Sequence, residues 1–408
     1  MKVEVDKIKL IQDFYPRHEM DSETVNGYRL NIDKLPPIIL TKDLTLVDGY
    51  HRVVAYRIEQ RTEIEVEEPL LDITGREIFV EAIRRNAFHG KPLTSDERRA
   101  AAIALCQNGK EPAEVATLIG RSVRTVNDWT ADIRKEKKQE RDTKILELYL
   151  ACYTQEEIAE KVGLERSAVS KILDSVKNGK IAETHIPESL RLYNVWNFPK
   201  CDSRYGLNYP GRIPGQIIEN LLHYYTKPFD LVVDPMMGGG TTVDVCKVFY
   251  RRYRAYDINP VREDIRVEKH DIRKGYPPEV QKVALVFLDP PYWRLQREGY
   301  TQDGVAATNY EEWLTFMRKL AVDTYEVLKE NGHVGLLVEA FLDEKVTGRF
   351  LDLPFECCQS FMDAGFAEVQ RVSAPMPSDI KQGHDVEYAK KNGMMLDLNR
   401  DLLIFRRA

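Results

Sequence analysis

Cysteine is scarce and unpatterned in this chain of 408 residues: Cys106, Cys152, Cys201, Cys246, Cys357 and Cys358 show no C-x-x-C spacing. That spacing suggests neither a zinc cluster nor a disulfide framework and points to reduced thiols. No group of metal-ligating residues stands out, so no metal is expected. No apolar run approaches the roughly 18 residues needed to cross a bilayer, so no membrane span is expected. The opening MKVEVDKIKL alternates charge with apolar groups and lacks the apolar stretch of a secretory signal, so a cytoplasmic location is expected. A large basic excess is missing too, with 59 Lys and Arg against 65 Asp and Glu. Residues 91–180 alone lean positive, with 17 basic against 15 acidic side chains, too few to argue phosphate binding by charge.

Linkers rich in Gly, Ser or Pro are also missing. Boundaries must be drawn from the charged segment RKEKKQERD (134–142) and the polar stretch KNGKIAETHIPES (177–189). Length allows two or three cores. Residues 1–90 mix short strand-like runs (PIIL, LTLV, IEVEE) with a helix after Gly49 and read as a small α+β domain. Residues 91–180 carry helical periodicity throughout and read as an all-α region. Residues 181–408 alternate strand-like runs (FDLVVD, YRAYD, VALVFLD, HVGLLVE, EVQRVSA, LLIFRR) with helical ones, which predicts an α/β domain around a mostly parallel sheet.

The helical region contains two candidate helix-turn-helix units. In EPAEVATLIGRSVRTVNDWTADI (111–133), Gly120 turns the chain and Ser122 opens a second helix. Val123, Val126, Trp129 and Ile133 are expected on its inner face, with Arg121, Arg124, Thr125 and Asn127 outward. TQEEIAEKVGLERSAVSKILDSV (154–176) repeats the plan, with a Thr154/Glu157 capping-box spacing, a Gly163 turn, and Arg166, Ser167, Ser170 and Lys171 outward. Such units place the second helix in the major groove of double-stranded DNA. The bland alternative is a helical linker or a protein-docking bundle.

In FDLVVDPMMGGGTTVDVC (229–246), a strand delivers Asp234 to a glycine-rich turn and then a helix. Gly238 and Gly240 allow a ligand close to the backbone. Neither G-x-G-x-x-G nor G-K-[ST] is present, so a dinucleotide or P-loop site is not indicated. Asp234 suits a cationic amine, and Asp257, ending the strand YRAYD, suits ribose hydroxyls. An amino acid joined to adenosine is S-adenosyl-L-methionine. VFLDPPYW (286–293) then places Asp289 at the tip of a buried strand, with Pro290 and Pro291 freezing the turn. Asp289 and the Pro290 carbonyl can accept both hydrogens of an exocyclic amine while Tyr292 stacks on the base. Such a base must first leave its duplex.

These motifs resemble the amino-group DNA methyltransferases, which make N6-methyladenine or N4-methylcytosine. DPMMGGGTT is similar to their cofactor motif, DPPYW to their catalytic motif, YPGRIPGQIIENLLHYYTKPFD (209–230) to the motif preceding the cofactor loop, and HDIR (270–273) to their adenine-contacting motif. The resemblance implies a Rossmann-like methyltransferase sheet over residues 181–408. It implies a cofactor site of Asp234, Pro235, Met236, Gly238, Gly240, Thr241, Thr242, Asp257, Ile258, Asp271, Ile272, Pro210 and Pro214. Catalytic roles fall to Asp289, Pro290, Pro291 and Tyr292, with adenine the favoured base. Met236 stands where an aromatic residue is usual. The core shows no inserted target-reading domain, so reading falls to the helix-turn-helix region, helped by Arg294 in the loop after Trp293. Removal of residues 1–180 is therefore expected to spare cofactor binding.

TLVDGYHRVVAYR (45–57) and EAIRRNAFHGKPLTSDERRAA (81–101) resemble the ParB/sulfiredoxin-like superfamily and the ParB chromosome-partitioning proteins, which place this domain before helix-turn-helix modules. The resemblance implies nucleotide contacts at Gly49, His51, Arg52, Arg84, Arg85 and Asn86. Tyr50 and His51 depart from the partitioning pattern and the opening Glu-Asn pair is missing, so a scaffold or DNA clamp is expected in place of hydrolysis. Rival readings are a partitioning or transcriptional DNA-binding protein whose methyltransferase fold senses cofactor, and an RNA or protein methyltransferase. A homodimer is left open.

Overall fold

The computed structural model describes the chain except residues 18–19, 89–92, 180–185, 209–210, 292–308, 344–348, 377–382, 394 and 397. Two compact units emerge, Met1–Glu140 and Arg141–Ala408. The division falls inside one helix, whereas the sequence reading set borders after residues 90 and 180.

In the first unit, β1 (Lys2–Glu4), α1 (Ser22–Leu30), β2 (Ile39–Leu40), β3 (Leu46–Asp48), α2 (Tyr50–Ile58) and β4 (Glu63–Glu65) form an α+β layer. β1 pairs with β4 and β2 with β3, both antiparallel, over a core of Val5, Ile38, Leu40, Val53, Ile64 and Val66. Gly49 starts α2 at φ 109°, and a Cβ there would lie 2.6 Å from Ile38 Cγ2, so the turn requires glycine. The helices α3 (Arg76–Phe88), α4 (Ser95–Gln107), α5 (Pro112–Ile119) and α6 (Val123–Trp129) enclose Ile83, Leu105, Val115, Ile119 and Val126. Gly120 ends α5 in the left-handed region and the Ser122 hydroxyl accepts from Thr125 N, as the sequence predicts for a helix-turn-helix turn. Val123 corrects one expectation, because it is 44% exposed. It occupies the first turn of a seven-residue helix, and the inner face closes instead on Val126, Trp129 and the buried Thr130.

The second unit begins within α7 (Ala131–Leu150) and continues through α8 (Gln155–Val162) and α9 (Arg166–Asn178). The Thr154/Glu157 capping box forms and Gly163 adopts φ 66°. Next come α10 (Gly215–Tyr225), β5 (Leu231–Asp234), α11 (Thr241–Val248), β6 (Arg252–Asp257), β7 (Glu268–Lys269) and β8 (Val283–Leu288). Then follow α12 (Tyr310–Val327), β9 (Leu328–Val338), β10 (Phe341–Asp343), β11 (Arg349–Leu351), α13 (Leu353–Asp363), β12 (Phe366–Ser373), α14 (Gly383–Asn392) and β13 (Asp401–Arg407). Seven of these strands form one sheet in the order β12-β13-β9-β8-β5-β6-β7. β5 to β9 run parallel, and β13 lies antiparallel between β9 and β12. All six strand-like runs of this region are strands. The sheet is the doubly wound α/β layer expected, with one core on the α10/α11 face and another under α12 and α13.

Candidate active site at the carboxyl edge of the sheet

The chain moves outward from β5 through β6 to β7 and then returns to the other side of β5 as β8. That reversal creates a crevice at the carboxyl ends of β5 and β8, the position where open α/β sheets take ligands. Register lines up the acids there. Asp234 ends β5 opposite Ala255 of β6, two residues before Asp257, and Val233 lies opposite Val286 of β8, three residues before Asp289. Parallel neighbours lie about 4.8 Å apart, so three carboxylates converge on one edge.

Each acid has a different environment. Asp234 is buried, accepts from Met236 N at 3.1 Å and is hydrogen-bonded by the Thr242 side chain. Burial pushes its carboxyl up to about 7, with Asp289 and Asp257 adding smaller repulsions. Asp257 accepts from Gly238 N at 2.9 Å and from Asn259 N at 2.8 Å, which pins the glycine turn to the tip of β6. Ile258 beside it is an exposed apolar side chain. Asp271 is held by Arg273, which donates from its backbone N, Nε and Nη2 and keeps the carboxyl below its usual range. Ile272 is buried next to it.

The turn Asp234-Pro235-Met236-Met237-Gly238-Gly239-Gly240 reaches α11 with Gly238 and Gly240 at positive φ. Thr241 and Thr242 open the helix and are both buried. A preceding strap lies across this turn: Leu207 N donates to Gly239 O at 3.0 Å and Gly206 N to Asp244 Oδ2 at 2.8 Å. Arg262 Nη1 donates to the same Asp244 oxygen at 2.7 Å. Arg212 ties the strap to itself by donating to the Asp202 and Tyr205 carbonyls, and the Tyr205 hydroxyl donates to buried Glu219 at 2.6 Å. Pro214 caps α10 behind it. Beside that cap, Arg212 Nε and Gln216 Oε1 are buried polar atoms with no hydrogen-bond partner among the described residues.

Asp289 follows the fully buried β8 and is half-buried, and Pro290 is buried. Trp313, fully buried on α12, donates its indole N–H to Pro291 O at 3.3 Å and so fixes the turn from beneath. The structure thus brings together Asp289, Pro290, Pro291, Asp234, Pro235, Met236, Gly238, Gly240, Thr241, Thr242, Asp257, Ile258 and Pro214 around one edge. Pro210, Tyr292 and Arg294 lie outside the described residues. Sequence reading missed Trp313, Asp244, Arg262 and the strap, because their partners are distant in sequence and no local motif marks them.

Of the outward helix-turn-helix residues, Arg121, Arg124, Arg166, Ser167 and Lys171 are exposed, while Thr125, Asn127 and Ser170 are half-buried. In the first unit, Gly49, His51, Arg52, Arg85 and Asn86 line one cavity of about 370 Å³, whereas Arg84 does not line it and forms an ion pair with Glu81. Every arginine on that cavity wall has an acidic partner: Arg17 meets Glu97, Arg52 meets Asp48, and Arg85 meets Glu81. Among the described residues, no group of three or more His, Cys, Asp or Glu is arranged to hold a metal ion, and no helix is long and apolar enough to cross a membrane.

The family match found by comparison with known proteins runs from the first unit into the second. The DNA methylase family N6_N4_Mtase matches residues 98–268, about two fifths of the chain, taking in Asp234, the glycine turn and Asp257 and ending before Asp289. The transcriptional regulator NovG of Streptomyces niveus is 41% identical over 71 residues, 17% of this chain and 22% of that protein, so the chain spans about a fifth of that relative's length. A SAM dependent methyltransferase of Archaeoglobus fulgidus aligns at 13% identity and TM-score 0.32 over 47% of this chain and 92% of the other. C-terminally truncated ParB of Caulobacter crescentus, complexed to its centromeric parS site, aligns at 14% identity and TM-score 0.26 over 44% and 92%. At such scores neither structure carries weight beside the strand order itself; the family named from the motifs is the one whose sequence model matches.

Proposed function

We propose that this chain is an S-adenosyl-L-methionine-dependent DNA methyltransferase that modifies the exocyclic amine of a flipped base, with adenine N6 the favoured target. One observation carries the reading: Asp257, Asp234 and Asp289 end three neighbouring parallel strands beside a glycine turn, in a stretch that the DNA methylase family matches up to residue 268. The chain's own groups fit the cofactor. Asp234 faces the cationic amine, Asp257 and Ile258 take the ribose side, and the buried Gln216 Oε1 and Arg212 Nε beside Pro214 are an acceptor and a donor with no hydrogen-bond partner among the described residues.

When bound, S-adenosyl-L-methionine supplies an electrophilic methyl group on a sulfonium. Asp289 and the Pro290 carbonyl accept the two N–H bonds of the target amine and aim its lone pair. The target nitrogen would take that methyl group through the lone pair so aimed, and Asp289 would accept the proton it then sheds and pass it to water. Alignment supplies most of the rate, so Asp289 needs no shifted pKa. Tyr292 is given the stacking role on sequence grounds, worth about 1–3 kcal/mol. Arg121, Arg124, Thr125, Asn127, Arg166, Ser167, Ser170 and Lys171 are assigned to duplex DNA, joined by Arg294.

Incubation of duplex DNA with methyl-labelled cofactor, followed by nucleoside chromatography, tests base and reaction together. Label in N6-methyladenine is expected, and label in N4-methylcytosine would move the target to cytosine. Asp289→Ala is expected to lower transfer at least 10³-fold while cofactor affinity stays within about threefold. Equal loss of both would deny Asp289 its role. The NovG match favours one second reading, a DNA-binding regulator, which requires sequence-selective duplex binding with no label in any nucleic acid.

A further inference from the structure

The two helix-turn-helix candidates differ in where they belong. α5 and α6 lie in Met1–Glu140, whereas α8 and α9 lie in the unit that holds the candidate active site. Two tyrosines lock the second pair to the sheet. Tyr149 has Lys177 of α9 over its ring at 4.5 Å and Arg252 of β6 at 5.0 Å, with Phe229 at 6.2 Å. Tyr153 lies between Lys161 of α8 at 5.1 Å and Arg266 at 4.3 Å. Arg266 Nη1 also donates to Ala151 O at 3.3 Å, and Leu150 and Ala151 belong to the same core as Ile217, Val232 and Leu285. Arg266 stands two residues before β7, which pairs with the end of β6 at Asp257. The helices are therefore anchored beside the carboxyl edge as well as along β6. The outer face of α9 carries exposed Arg166, Ser167 and Lys171, and the helix holds Arg166, Lys171 and Lys177 against one carboxylate, Asp174.

We propose that the outer face of α9 reads the major groove of duplex DNA at an offset fixed by this locking, and so determines which sequence is methylated. α6, carried on the other unit, contributes affinity and not motif choice. This rests on the methyltransferase reading above. The offset follows from packing: α8 and α9 share one core with Ile145 and Leu148 of α7, and the next turn of α7 puts Leu150 and Ala151 into the core of Val232 and Leu285, so α9 cannot change its distance from Asp289 without breaking that junction.

The test uses the full chain with S-adenosyl-L-methionine and a plasmid library of randomised duplex sites, methylated positions being mapped by sequencing. Ser167→Ala with Lys171→Ala is expected to reduce preference for the wild-type motif at least tenfold. Arg121→Ala with Arg124→Ala is expected to weaken DNA binding while motif preference changes less than twofold. Insertion of four alanines between Glu140 and Arg141 is expected to leave the motif unchanged. A changed motif after the insertion or in the α6 variant, or an intact motif in the α9 variant, overturns the proposal. Sequence selection by binding alone, on the same library and variants, decides the role of α9 even where the wild type methylates no DNA, an outcome that defeats only the enzymatic reading. All substituted side chains are exposed, and unchanged thermal midpoints would confirm that folding is not what moved.

Discussion

In the proposed function Asp234 has two demands on it, to be buried beneath the glycine turn and to be charged to hold an amine. Its carboxyl, raised to about 7 from 3.8, titrates where cells live. The sign for folding follows from proton counting. Between about pH 4 and 7 the folded chain keeps a proton that the unfolded chain has released, so this group's contribution to stability falls as pH rises through that window and is flat above it. Cofactor binding runs the other way, because an ammonium group needs the carboxylate: affinity is expected to fall as pH drops below about 7. Calorimetric titration of S-adenosyl-L-methionine at pH 5.5, 7 and 8.5 checks this. Asp234→Asn is expected to bind about tenfold or more weakly at pH 8.5, to lose the pH dependence of binding, and to melt at least as high as the wild type above pH 7. A pH-independent wild type would remove Asp234 from the amine site.

At the scale of elements, the strap and the glycine turn behave as one piece. Asp244 receives Gly206 N and Arg262 Nη1 on one oxygen, and Arg262 is further held by Asp264. Charge-assisted bonds of this kind contribute about 1.5–3 kcal/mol each when half-buried. Arg262→Ala is expected to raise the cofactor KM about tenfold with kcat changed less than threefold, and Arg262→Lys to restore part of the loss; an equal fall in kcat would make the arginine a plain fold residue. None of this was readable in the sequence, since Gly206, Asp244 and Arg262 share no motif. What was readable is the set of elements whose periodicity and caps agree: the strands ending in Asp234, Asp257 and Asp289, the Thr154/Glu157 capping box, and the Gly120 and Gly163 turns. Val123 misled because helical spacing specifies a face but not how far the neighbouring helices reach along it. Trp313 was invisible because a tryptophan on an amphipathic helix reads as core, which it is, while its indole N–H holds the turn after Asp289.

For the whole molecule, the position of the division decides how it can be cut. Composition marked residues 177–189 as a border because that stretch is polar, yet polarity there does not mean that contacts stop. Removal of residues 1–180, expected from sequence to spare the cofactor site, would strip Leu150 and Ala151 from the core around Ile217 and Val232 and take Tyr149 and Tyr153 from Arg252 and Arg266. Burying a large apolar side chain contributes roughly 1.5–3 kcal/mol, so the loss comes to several kcal/mol out of a usual total of about 5–15. Removal of residues 1–140 cuts where the chain itself divides. The shorter truncation is expected to melt cooperatively within a few degrees of the full chain's second unit and to keep cofactor affinity. The longer one is expected to melt about 10 °C lower or without a cooperative transition, and to bind cofactor poorly for that reason. Scanning calorimetry with and without cofactor separates the two. Equal midpoints would mean that the tyrosine pair adds nothing to the catalytic core, and the fixed offset between α9 and Asp289 would lose its physical basis.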